Sequence, residues 1–148
     1  MSAYGAITRP MTSDTSLVPT TWACKPSTKR PNSVPTYLTV HHLTLVTARS
    51  LKGLLEYLRA VFTLEIEAGR TYPQDTLEGE GVFEAYFFAA DVFLAIICEG
   101  EVAEGKNEVD VSVEDSRKGR GWEDCIAGFY YVSCVFQRYG QATHLAML

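Results

Sequence analysis

Between residues 37 and 99 the spacing of hydrophobic and polar positions changes period several times, and each change predicts an element. From Tyr37 to Thr47, Leu38, Val40 and His42 alternate with Thr39, His41 and Leu43 at the period of a strand, which puts His42 on one face with Val40 and Thr44. Leu51, Leu54, Leu55, Leu58, Val61 and Phe62 then fall at i, i+3, i+4, i+7, i+10 and i+11, one apolar stripe along a helix, with Ser50 as its N-cap. Leu64 to Tyr72 alternates again, Leu64, Ile66 and Ala68 opposite Glu65, Glu67 and Gly69, and predicts a half-buried strand that Pro73 ends.

Gln74 to Gly81 is polar and glycine-rich and reads as an exposed loop. Val82 to Ala90 and Val92 to Cys98 are aromatic or β-branched runs separated by Asp91, the pattern of two strands joined by a tight hairpin. Their near-continuous hydrophobicity predicts burial on both faces, or one face lining an apolar pocket. Val109, Val111 and Val113 predict a strand from Glu108 to Glu114, and a charged loop runs from Asp115 to Gly121. Glu123 to Ala127 reads as the end of a short helix and Phe129 to Phe136 as a strand. Gly140 breaks the pattern before an apolar tail.

Composition divides the chain once. Residues 1–36 hold five of the six prolines, many Ser and Thr, four basic residues and the single acid Asp14. Such a segment buries too little apolar surface to offset its ordering entropy and reads as a flexible N-terminal arm. A basic, hydroxyl-rich, acid-poor start also has the composition of an organelle transit peptide. Residues 37–148 read as a single domain, and the 47% hydrophobic content of the 148 residues can fill a core. A formal net charge of −5 argues against a nucleic-acid partner, which needs a basic face to neutralise phosphates.

Cys24, Cys98, Cys125 and Cys134 form no C-x-x-C pair, and Cys98 and Cys134 sit in apolar runs, which points to a reducing, cytoplasmic setting. No apolar run reaches the ~18 residues needed to span a bilayer, so no membrane partner is expected. There is no G-x-S-x-G, P-loop, G-x-G-x-x-G or H-E-x-x-H. The aromatic side chains are read mainly as core. Of these, Tyr86, Phe88, Phe93 and Tyr131 are the candidates for a substrate pocket with phenolic hydroxyls as polar handles.

The order strand, helix and three strands, with His41-His42 in the first strand and the helix phrase from Leu55 to Leu64, resembles one βαβββ module of the vicinal oxygen chelate superfamily. That superfamily includes glyoxalase I, extradiol dioxygenases and bleomycin-resistance proteins. The resemblance implies an α+β fold in which βαβββ modules form a curved mixed sheet or open barrel around a ligand cavity. It also implies a divalent metal (iron, zinc, manganese or nickel) held by His42, with Glu99 and Glu108 as further ligands and His42 and Glu99 as the catalytic pair. Glu114 and His144 are further candidates.

Three functions follow. The first is a lyase, isomerase or dioxygenase acting on an oxygenated, largely apolar small molecule. The second is a binding protein of the same fold that sequesters a hydrophobic ligand or drug; Ala95, where the superfamily places a fourth-strand ligand, suits it. The third is an NTF2-like cyclase or dehydratase. Only 49 residues follow Glu99, against 63 from Tyr37 to Glu99. With the apolar tail, that shortfall predicts a homodimer.

Overall fold

The computed structural model describes residues 16–25, 34–68, 81–102, 110–137 and 140–147. In chain order the elements are β1 (Thr20–Ala23), β2 (Thr36–Leu43), α1 (Leu45–Ser50), α2 (Leu54–Glu67) and α3 (Val82–Phe87). They continue as β3 (Asp91–Glu99), α4 (Val113–Arg117), α5 (Trp122–Cys125), β4 (Ile126–Gln137) and β5 (Gly140–Met147). The fold is α+β, with an open sheet ordered β1-β2-β3-β4-β5. β1 pairs antiparallel with β2, and β4 with β5. The start of β2 lies beside the end of β3, where Gly100 N–H donates to Pro35 O at 2.8 Å, and the His42 ring packs on Phe93 at the opposite ends. That pair is therefore antiparallel as well.

Several sequence expectations are corrected. β1 lies inside the stretch read as a flexible arm. β2 stops at Leu43 rather than Thr47, because Thr44 caps α1: its Oγ1 accepts the Thr47 N–H at 3.1 Å. Ser50 is the last residue of α1, and the N-cap of α2 is Gly53, held at φ 78° where a side chain would be strained.

Residues 64–67 continue α2 instead of starting a strand. Leu54, Leu58, Phe62 and Ile66 are its buried residues, so the spacing of four carries the stripe one turn further. Val82 to Phe87 is helical for the same reason: Phe83 and Phe87 share one helix face and stack at 5.1 Å. No hairpin forms at Asp91, which begins β3. Among the described residues, β2 to β3 thus runs strand, three helices, strand rather than βαβββ. The strand expected up to Glu114 is replaced by α4, which starts at Val113 behind a Ser112/Asp115 capping box. Residues 103–109, including Val109, lie outside the described residues.

The strands expected at Val92 to Cys98 and Phe129 to Phe136 fall within β3 and β4, and the short helix near Glu123 is α5. β3 alternates strictly, with Val92, Leu94, Ile96 and Cys98 buried and the residues between them half-buried.

The chain divides into two units by its contacts. One comprises Leu43–Val92 with Tyr130–Leu148, and its core is built on Leu54, Leu58, Phe62, Phe83 and Phe87. The other comprises Ser16–His42 with Phe93–Phe129, and its core is built on Leu94, Ile96, Cys98, Trp122, Cys125 and Phe129. In the second unit the Arg117 guanidinium lies 4.0 Å over the Trp122 ring.

Candidate functional site

The adjacent histidines of β2 point to opposite faces and do different things. His41, only 2% exposed, shares a face with Thr39 and meets the buried Ser116 of α4. Its Nε2 lies 3.0 Å from Thr39 Oγ1 and 3.0 Å from Ser116 Oγ. Burial penalises the imidazolium and pushes its pKa from 6.5 down to about 4, so the ring is neutral at pH 7.

Ser116 is fixed from its other end. Arg120 Nη2 donates to Ser116 O at 2.9 Å and to Ile97 O at 2.7 Å, and the Cys98 thiol donates to Ser116 O at 3.6 Å. A Ser–His contact suggests a nucleophile and its base, but both residues are sealed from solvent. The cluster ties α4 to β2 and β3 and gives a substrate no approach.

His42 is also buried. Its Nδ1 accepts the Leu17 N–H at 3.2 Å, its carbonyl accepts the Ser16 hydroxyl at 2.6 Å, and its ring packs on Phe93 with centroids 5.2 Å apart. A neutral His42 therefore carries its proton on Nε2. Glu99 is exposed at the far end of β3. Phe93 lies beside His42, and six residues of strand, about 20 Å, separate it from Glu99.

A shared ion needs bonds near 2 Å, so His42 and Glu99 do not fit one metal within the chain. Among the described residues no group of three or more His, Cys, Asp or Glu could hold a metal ion. Glu108 lies outside the described residues. Glu114 sits on the first turn of α4, bonded by Arg117. His144 falls on β5, opposite Ser133 of β4.

Two of the four expected pocket residues meet. Tyr86 of α3 and Tyr131 of β4, both half-buried, bring their hydroxyls to 3.1 Å. Their rings sit edge-on at 6.1 Å, Tyr131 also packs edge-on against Phe87, and Tyr86 lies 6.0 Å from Phe62. The result is an apolar aromatic cluster with a paired phenolic edge. Phe88 packs on Phe87 in the core, and Phe93 belongs to the other unit beside His42.

Against Phe83 of the same cluster opens a groove of about 150 Å³, also lined by Leu55, Glu56, Arg59, Gly81 and Glu84. That is smaller than the ~300 Å³ at which drug-sized sites begin, and suits only a small molecule. Its rim carboxylate Glu84 is held by Arg49, whose Nε donates to it at 3.1 Å.

Sequence reasoning passed over His41, Thr39, Ser116 and Arg120. The i, i+2 pair Thr39/His41 was the available signal, because strand alternation already put both on the face away from His42. Compared with protein-family models, curated proteins and solved structures, the chain gives no match. No helix among the described residues is long and apolar enough to cross a membrane.

Proposed function

We propose that this protein binds a small, largely apolar, oxygen-bearing molecule, without catalysis, at the aromatic cluster of α2, α3 and β4. The observation that carries the reading is the Tyr86–Tyr131 hydroxyl pair. Two phenols 45 residues apart in sequence converge at the half-buried edge of a cluster of Phe side chains. Paired hydroxyls give donor and acceptor capacity at one spot, and the surrounding rings supply the apolar contact.

Binding is favoured over chelate catalysis because His42 and Glu99 lie about 20 Å apart along the strand. The reading rests on the cluster rather than on the vicinal oxygen chelate resemblance. A cytoplasmic setting belongs to the same proposal, supported by Cys24, Cys98 and Cys125 as free thiols.

The test is a calorimetric titration with 1-naphthol, which carries one oxygen on an aromatic body. Saturable binding is expected, weakened at least ~10-fold in Tyr86→Phe/Tyr131→Phe, which keeps both rings and removes both hydroxyls. The naphthol should be recovered unchanged. No saturation up to ~1 mM, or equal affinity in the double variant, overturns the site. Conversion of the probe would replace binding by catalysis.

A further inference from the structure

β1 is an edge strand, and its pairing with β2 fixes which of its backbone groups face outward. Cys24 N–H donates to Thr36 O at 2.9 Å, in register with the Trp22↔Leu38 and Thr20↔Val40 pairs. Residues at even positions therefore spend their N–H and C=O on β2, and those of Thr21 and Ala23 point away from it. Over the four residues that follow Pro19, these outward N–H and C=O groups form a short template for another strand.

The side chains beside it strengthen the case. Trp22 is 57% exposed, Leu17 58% and Val18 60%, and Val34 is exposed too. Native edges are commonly protected by charge, yet in residues 16–25 and 34–43 the only Lys, Arg, Asp or Glu is Lys25, in a chain of net charge −5. This is a stretch where two copies of an acidic protein can meet without opposing carboxylates.

We propose that β1 pairs antiparallel with β1 of a second copy, the twofold axis passing through Trp22. In that register Thr21 of each copy faces Ala23 of the other, so the two outward residues exchange both N–H···O bonds twice over. Trp22 then lies opposite Trp22 as a non-hydrogen-bonded pair, the position where cross-strand side chains come closest. The Trp22 indole is already oriented by its Nε1–H, which donates to Thr20 Oγ1 at 3.0 Å. A register shifted by one residue would set Thr21 and Ala23 against groups already committed to β2. The interface is isologous and closes as a dimer. The sequence points to a homodimer through its short second half and apolar tail; the proposed contact uses β1.

Light scattering on the full chain tests this between about 1 and 500 µM. The mass should rise toward twice 16.4 kDa, with a blue shift of tryptophan emission on association. Trp122 is already buried, so that shift reports Trp22. Trp22→Lys puts like charges opposite each other. Ala23→Pro removes an outward N–H and leaves the β1–β2 bonds intact. Each should weaken association at least ~10-fold with the far-UV spectrum unchanged. Trp22→Lys alters only an exposed side chain and decides the matter if the proline variant fails to fold. A wild-type mass of 16.4 kDa throughout overturns the proposal. So does a dimer as tight in Trp22→Lys as in the wild type. Dissociation by Trp22→Lys but not by a folded Ala23→Pro overturns the strand pairing.

Discussion

His41→Gln removes a titratable ring while leaving an amide near the position of Nε2, so comparing it with the wild type isolates the pH dependence due to burial of that imidazole. The folded pKa is about 4 and the unfolded one 6.5. Because the folded value is depressed, the native state has its full stability above pH 6.5. Below that the unfolded chain takes up a proton that the folded chain refuses, and stability falls by up to ~1.4 kcal/mol per pH unit. The loss levels off below pH 4 at about 3 kcal/mol, a large share of the 5–15 kcal/mol typical of a domain.

Urea unfolding at about pH 7.5, 6, 5 and 4.5 measures it. Contributions from carboxylates are common to both proteins and cancel in the difference. These include Asp115, whose pKa is lowered by its hydrogen bonds to Ser112. The wild type should lose about 2.5 kcal/mol more than His41→Gln between pH 7.5 and 4.5. A difference constant within ~0.5 kcal/mol across that range would refute the claim that His41 is buried neutral.

Three further outcomes are expected. Phe62 is fully buried among Phe83, Tyr86 and Phe87, so Phe62→Ala should cost about 3–5 kcal/mol by chemical denaturation. Ser116→Ala takes one of two hydroxyls from the buried His41 Nε2 and should cost about 1–3 kcal/mol, with a smaller penalty when His41→Gln is already present. Gly100 sits at φ 123°, where, among the described residues, an added Cβ would meet the Tyr37 ring, at 3.8 Å. Gly100→Ala should therefore lower the thermal midpoint through backbone strain of about 1–3 kcal/mol rather than through a clash.

The sequence was most legible where one periodicity had no rival. Leu54, Leu58 and Phe62 have no strand reading, and Val92 to Cys98 is a seven-residue apolar run bounded by Asp91 and Glu99, the length of a strand and too short for a helix. It misled where both periods fit the same residues. Leu64, Ile66 and Ala68 alternate with polar neighbours, yet Ile66 is also four residues beyond Phe62, and the helix already under way extends at the cost of one residue's ordering per bond gained. Val82 to Ala90 is rich in strand-forming aromatics, but α3 buries Phe83 and Phe87 on one face, and propensity yields to that packing. The site was half legible. Tyr86 and Tyr131 were named from their chemistry and do meet. His42 was favoured over His41 on resemblance, whereas Ser116, which joins Thr39 on the His41 ring, comes from α4, 75 residues away, which no local pattern reveals.

The placement of the two tryptophans has a practical consequence. Trp22 and Trp122 both belong to the unit formed by Ser16–His42 and Phe93–Phe129, whereas four of the five described tyrosines, Tyr57, Tyr86, Tyr130 and Tyr131, belong to the other and Tyr37 alone shares the tryptophans' unit. Indole emission is thus an optical reporter of one half of the molecule. Melting followed by tryptophan fluorescence and by the near-ultraviolet tyrosine signal becomes a direct assay of cooperativity: superimposed curves mean that both halves unfold together, and separated midpoints identify the weaker half.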